Sequence, residues 1–524
     1  MTDSIPAEPA PPAATGSDEP AVADRPPGAL DLYRALGDAL TGPFRRPRVA
    51  IPLEIGLLVA WFVIRAATPA DGPLYAAWAV VVAGVTVLSP LSGLVVLAAT
   101  APFDEPFTIT PLLGPRMLLV FVLAASVAIR VLFRPRSMPW SWPIVLTGAL
   151  AVGTLGSLAI AYRQFGRAYT ADSFEFWVAG VGGGLLVLLA ATWIARDGEL
   201  RPFVVAIAAT VVAAAVTLAE YLAPDAMAGG PLLWMLHAKD FGTRISGVIP
   251  SPNGLAALLL PPAMVLAAAV VLAPRWSPRL RALAILGLVP IVPALYFTYS
   301  RTVFVAAYGF AVVAAWRVRR WLGVAVLAVG FIAGVVALPS YLELRASEVG
   351  GGSERTGAIL VASDLQRFTA WDASIRMFAD RPVTGWGFRS YRVIGDRYGD
   401  VVLNSPHNEW LRFFAEQGIA GGLVGLALVL TGLGRLARVP GWLGTGVLAA
   451  FLSYVIAASF NNPLLFIQVS IVVFTIVGTG WGWGRSWPWP RRDEAPADGR
   501  ADDEQQPGVA TSAAATGAEA PTGA

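Results

Sequence analysis

The sequence predicts an all-α polytopic membrane protein, on three observations. The chain of 524 residues is 56% hydrophobic and only 14% charged, with a mean hydropathy of +0.62, whereas a soluble protein carries roughly a quarter of its residues as charges. Its apolar runs repeatedly approach the roughly 20 residues needed to cross about 30 Å of hydrocarbon, which excludes a string of water-soluble domains. Arginines gather in the short segments between those runs, the pattern that orients helices in a bilayer.

Residues 1–45 are Pro/Ala-rich and acidic, with no basic run leading into an apolar core. They are expected to be a disordered cytoplasmic tail rather than a cleavable signal peptide. Residues 46–339 are expected to form a transmembrane bundle, with spans at about 49–66, 74–89, 91–102, 112–133, 143–161, 174–194, 202–222, 254–273, 281–299, 302–316 and 321–338. Ser89-Pro90 decides the parity. A single span there would set Arg45, Arg46 and Arg48 opposite the clusters at Arg134, Arg196, Arg275, Arg317, Arg435 and Arg485. Two spans are therefore counted, and all these arginines share one side, taken as cytoplasmic.

Residues 340–418 read as one large extracytoplasmic loop. In it Gly350-Gly351-Gly352-Ser353 is a flexible run. Leu365, Phe368, Trp371, Ile375 and Phe378 recur at three and four positions, with Ser363 placed to cap and Pro382 to stop them. That spacing predicts a helix lying flat on the bundle with its aromatic face down. Residues 419–484 supply the last helices, with spans at about 419–436, 442–460 and 464–482. Residues 485–524 form a second disordered cytoplasmic tail. The expectation is about 12–14 transmembrane helices, with the large, partly helical, outward loop before the last ones.

The absence of cysteine excludes disulfides, thiolate catalysis and Cys-based metal sites. A net charge of +3, with arginines flanking apolar runs, reads as topology rather than nucleic-acid binding. Candidate chemistry centres on Ser405-Pro406-His407-Asn408. With Ser405 as N-cap and Pro406 opening a helix, His407 stands in the first turn, where the helix dipole disfavours the imidazolium and leaves a ring able to accept a proton. The competing reading is an interfacial histidine that only packs.

Arg244 and Arg301 are outward arginines at span ends, against the positive-inside bias and costly unless paired or wetted. They point to an anionic guest, because guanidinium forks match phosphate oxygens and a helix starting near Asn253 adds backbone donors. Snorkelling to headgroups is the alternative. Asp104-Glu105 lacks the further ligands at spacing that a metal needs, Arg163 and Arg167 read as solvated, and His237 has no distinguishing partner. Eight arginines balance eight acids between Ser340 and Pro406, so the loop is no polybasic patch.

This order of features resembles the O-antigen ligase and polymerase family of bacterial envelope proteins. The resemblance rests on Arg244 with Gly247 and Pro252-Asn253; on Ser300-Arg301; on Arg367, Trp371 and Pro382-x-x-Gly385-x-Gly387; and on His407-Asn408 with Leu411, Glu416, Gly418 and Gly421. It covers about 230–480, and the residues before it carry no named family motif. It implies a GT-C-like glycosyltransferase of the plasma membrane. Such an enzyme takes a glycan from undecaprenyl diphosphate and passes it, with inversion, to a glycan, lipid or protein acceptor on the outer face, with no metal or cofactor. On this chain the resemblance implies His407 as the base and Arg244, Arg301, Asn253, Asn408 and Arg367 as substrate-binding residues.

Two rivals belong to other classes. A transporter of a glycan, lipid or small solute needs mid-span acids and paired broken helices, and the main candidates, Glu54 and Glu220, sit near span ends. A scaffold for an envelope assembly complex would survive the loss of His407.

Overall fold

The computed structural model describes residues 46–68, 72–103, 115–227, 236, 244–273, 277–350, 354–399 and 403–483, with backbone alone over 337–350 and 354–365. Both tails, Asp104, Glu105 and His237 lie outside the described residues. Among the described residues every regular element is a helix. The longer ones are α1 (Pro47–Ala67), α2 (Pro73–Leu88), α3 (Pro90–Thr100), α4 (Pro115–Phe133), α5 (Trp142–Ala179), α6 (Val181–Ala195), α7 (Arg201–Leu222), α8 (Pro252–Leu272), α9 (Pro278–Phe297), α10 (Arg301–Val318), α11 (Arg320–Gly350), α12 (Glu354–Asp380), α13 (Glu409–Ala437), α14 (Gly441–Phe460) and α15 (Ile467–Trp483).

Among the described residues, 9 helical segments are long and apolar enough to cross a membrane, and four shorter apolar helices accompany them. The protein is an all-α polytopic membrane protein. One candidate, Trp142–Ala195, runs 54 residues, and at about 1.5 Å per residue a straight rod of that length would be more than twice the hydrocarbon thickness. It is broken at Gly166 (φ +80°, ψ −175°) and again at Gly180, and it folds back so that Trp177 Nε1 donates to Thr154 Oγ1 at 2.8 Å. The stretch expected as a loop, 162–173, is helical on both sides of that bend.

Ser89-Pro90 does separate two helices. Ser89 ends α2 and caps α3, its Oγ accepting from Ser92 N at 3.3 Å. Arg130, near the end of α4, donates to Val87 O in the last turn of α2 at 2.8 Å. The same end of the bundle collects further arginines on backbone carbonyls: Arg196 on Ser137 O at 2.7 Å, Arg317 on Val439 O at 3.0 Å and Arg435 on Trp481 O at 2.9 Å. Carbonyls at and just beyond helix C-termini lack intrahelical partners, and a guanidinium satisfies them while opposing the helix dipole. Glu54 belongs to this end too. It pairs with Arg201 at 3.0 Å and accepts from Ser92 Oγ at 2.8 Å, so it joins α1, α3 and α7 and is accounted for without a transport pathway.

At the centre α6 and α15 cross closely. A Cβ at Gly478 would stand 2.7 Å from Ala191 Cβ and 2.8 Å from Leu188 O, an approach that only glycine permits.

The segment between α10 and α13 differs from expectation in two ways. Helix α11 runs through the expected boundary at residue 340 to Gly350, and α12 starts well before Ser363. The face of α12 that packs down consists of Ala370, Ala373, Ser374 and Met377, while Phe368 is 61% and Ile375 53% exposed. Of the expected aromatic face, Phe368 and Ile375 therefore point away from the bundle, whereas Trp371 and Phe378 are half-buried and Phe378 meets Phe414 of α13 with ring centroids 5.4 Å apart. An apolar stripe at helical spacing faces lipid as readily as core in a membrane protein, and close helix packing favours small side chains.

The turn Pro382 to Gly387 is docked edge-on against α13, which bends at Gly418 (φ +67°, ψ −165°). Ile419 N donates to Pro382 O at 2.7 Å, Trp386 N to Ala415 O at 3.1 Å and Gly387 N to Glu416 O at 2.8 Å. A Cβ on Gly418 would lie 2.2 Å from Val383 O, and one on Gly385 2.4 Å from the Glu416 carbonyl carbon. These glycines let two irregular backbones satisfy each other's hydrogen bonds. Phe388 N then reaches Ser157 O of α5 at 3.4 Å, and Arg389 pairs with Asp172 at 2.6 Å. The loop is thus pinned to α5 and α13 together.

Candidate active site

The local helix start at His407 differs from the sequence expectation. α13 begins at Glu409, not Pro406, and its N-cap is Asn408, whose Oδ1 accepts from Trp410 N and Leu411 N, each at 3.1 Å. One short amide side chain satisfies two orphan amides, so the cap at Asn408 prevails. Ser405 Oγ instead accepts from Asn462 Nδ2. His407 stands just outside the first turn with φ +51°, one of three non-glycine residues with positive φ among the described residues. Such strain persists where surrounding contacts over-determine it.

Those contacts come from the junction of α14 and α15. His407 Nδ1 lies 3.2 Å from Asn461 Oδ1. In the tautomer with hydrogen on Nδ1, that ring nitrogen donates to the amide oxygen and Nε2 is left able to accept a proton. Trp410 Nε1 donates to Ser459 Oγ at 2.9 Å. Leu464 N donates to Glu409 Oε1 at 3.1 Å, and Glu409 is paired with Arg412 at 2.5 Å, both side chains buried. The imidazole pKa is held below its usual value first by burial and then by the Arg367 guanidinium, with the Asn461 contact acting the other way. Burial and a neighbouring charge, rather than the helix dipole, thus favour the neutral ring.

The arginines come from three other regions. Arg244 donates from Nε to Thr298 O at 2.9 Å, at the end of α9, and from Nη2 to Asn253 Oδ1 at 3.0 Å, in the first turn of α8. Ser251 caps α8, accepting from Gly254 N at 3.3 Å. Arg301 is the first residue of α10, and half-buried Arg367 lies on α12. Burial lowers the Arg244 pKa, and Arg367 and Arg301 lower it further, so both of these guanidiniums lie within electrostatic reach of Arg244. Arg367 acts on His407 as well.

Four residues separated by up to 163 positions are thus linked electrostatically, with Arg367 common to Arg244 and His407. Like charges held this close favour an anionic guest, because each positive charge is relieved by the same negative one. Asn253 and Asn408 stand differently: each Oδ1 is committed, one to orienting Arg244 and the other to capping α13. Asn461 was not singled out in the sequence. Its only signal was the polar doublet Asn461-Asn462 before Pro463, between two apolar runs. Glu409 and Arg412 were likewise missed, since an i,i+3 pair reads as an exposed helix face until burial is known. Among the described residues no group of three or more His, Asp or Glu side chains is gathered as a metal site would require.

Residues 286–426 match the family model described as O-antigen ligase. That segment includes Arg301, Arg367, His407 and Asn408, with Arg244 and Asn253 before it and Asn461 after it. No curated protein matches the chain.

Proposed function

We infer that this chain, whose residues 286–426 belong to the O-antigen ligase family and which is accordingly a membrane glycan ligase or polymerase, takes its glycan from an undecaprenyl-diphosphate-linked donor and acts on the outer face of the plasma membrane. The observation carrying this reading is the electrostatic chain in which Arg301 and Arg367 act on Arg244 while Arg367 also acts on His407. Three guanidiniums suit a diphosphate, and a neutral imidazole with Nε2 unprotonated suits an acceptor hydroxyl. The site lies at the end of the bundle away from the arginine-on-carbonyl contacts, which supports cytoplasmic termini and an outward site.

In the proposed reaction the acceptor oxygen attacks the anomeric carbon as its proton passes to His407 Nε2. The bond between that carbon and the diphosphate oxygen breaks, and the lipid diphosphate leaves with the electron pair. Attack opposite the leaving group inverts the anomeric centre. The arginines meet the charge that develops on the leaving oxygen, with no metal used. A positioned base contributes about 10² to 10⁴ in rate.

Transfer from a lipid-linked donor by His407→Ala is the direct test. The expected result is a loss of about 10² or more in kcat, and full activity rejects the base. Arg244→Ala and Arg301→Ala should weaken donor binding, and unchanged affinity rejects the diphosphate role.

A further inference from the structure

Helix α9 ends in a way that its sequence does not favour. The Thr298 amide closes the helix on Ala294 O, and Tyr299 follows with φ +47° and its own amide on Tyr296 O at 3.0 Å. The position after a helix C-cap commonly takes this left-handed backbone, and glycine or asparagine commonly fills it, because a Cβ there crowds the neighbouring carbonyl. A bulky aromatic at positive φ is an outlier. Burial does not explain it, since Tyr299 is 49% exposed. His407 shows the same combination of a non-glycine residue and left-handed backbone at the same end of the molecule.

The Tyr299 ring is part of a cluster. Its centroid lies 5.8 Å from that of Tyr296; Tyr296 meets Phe297 at 5.4 Å, and Phe297 meets Tyr221 at 4.6 Å. Tyr296 is 59% exposed, so two tyrosine rings are open at the end of α9. They flank the arginines closely. Thr298, whose carbonyl holds Arg244 Nε, precedes Tyr299, and Arg301 comes two residues after it. An aromatic face offers a flat apolar surface with a hydroxyl at its edge. A pyranose offers the complement, a C–H face bounded by hydroxyls.

We propose that Tyr299, backed by Tyr296, is a stacking platform for the sugar joined to the donor diphosphate, and so a specificity-determining residue of the transfer. This rests on the reading of Arg244 and Arg301 as the diphosphate site. The platform explains why a ring is kept where glycine would relieve the backbone. A belt of tyrosines at the headgroup level would expose these rings as well. It would require neither the left-handed backbone nor a position between Thr298 and Arg301.

Two soluble probes separate the contributions: farnesyl diphosphate, which has no sugar, and farnesyl diphospho-N-acetylglucosamine. Binding of each to the full chain in lipid nanodiscs is measured by calorimetry. The wild type should prefer the sugar-bearing probe, and Tyr299→Gly should reduce that preference about tenfold while binding farnesyl diphosphate as before. Its thermal midpoint should be no lower than that of the wild type, because glycine suits the backbone. Tyr299→Asn, also tolerant of positive φ, should repeat the loss, and Tyr299→Phe should keep the preference. The platform is overturned if the wild type shows no preference, if Tyr299→Gly retains it, or if Tyr299→Gly weakens both probes equally, the result expected of a lipid or headgroup contact. Arg244→Ala should weaken both probes. If it weakens neither while Tyr299→Gly still removes the preference, the diphosphate reading fails and the sugar contact stands.

Discussion

Replacing Arg412 with Met should destabilise the protein by about 3–5 kcal/mol, the range found when one partner of a buried ion pair is removed. Glu409 is 0% and Arg412 2% exposed, and their charged atoms approach to 2.5 Å. At that separation, with an effective dielectric near 20, the attraction is on the order of 7 kcal/mol. Removing two ions from water offsets most of it. The surroundings offer little replacement: a cavity of about 40 Å³ beside Glu409 is lined by Leu150, Phe413, Tyr454 and Trp481, and Leu464 N is the carboxylate's backbone donor.

In Arg412→Met the Glu409 carboxylate therefore stays buried without its counter-charge. Against a typical net stability of about 5–15 kcal/mol this is a large fraction. In the double variant Glu409→Met/Arg412→Met the Glu409 charge is removed with its partner, leaving buried Glu416 as the acid that Arg412 also faced, and part of the loss should be recovered. Thermal and chemical unfolding of the purified chain in mild detergent measures all three. A single variant within about 1 kcal/mol of the wild type, or a double variant no more stable than the single one, refutes the reasoning. The pair also anchors the start of α13, two residues beyond His407.

Two further outcomes follow from the geometry of the site. The His407 pKa lies below the ordinary imidazole value of about 6.5, so the acid limb of kcat/KM should fall below that pH. Arg367→Gln removes one of the causes and should move the limb upward, and an unmoved limb would dissociate Arg367 from His407. For stability the sign is that of a depressed cation: the contribution is fully present above the unfolded imidazole pKa and is lost as pH falls below it. Gly418 occupies φ +67°, ψ −165°, a region open essentially to glycine alone and worth about 1–3 kcal/mol of strain in another residue. Gly418→Ala adds a contact at 2.2 Å with Val383 O, so it should release the Pro382 to Gly387 turn and abolish transfer, seen as protease sensitivity near Gly385 with loss of activity. Wild-type protection and activity would contradict the docking.

The membrane class, the break at Ser89-Pro90 and the gathering of arginines on one end were legible because composition, run length and charge placement act locally, and each can be read without knowing what packs where. The order Arg244, Arg301, Arg367, His407 was legible as a resemblance, and residues 286–426 match that family. Tertiary structure alone decided which face of α12 is buried, since Phe368 and Ile375 carry the same periodicity whether they meet core or lipid. It decided the cap at Asn408 over Ser405, because Ser405 has a partner in Asn462, 57 residues away. It brought Asn461 to His407 and put Glu409 and Arg412 out of water. A sequence records which side chains can bond and which segments must leave water. Which distant partner each polar group meets, and what surrounds it when it does, depends on how the helices cross, and here that sets His407 against Asn461 and brings Arg367 within electrostatic reach of it.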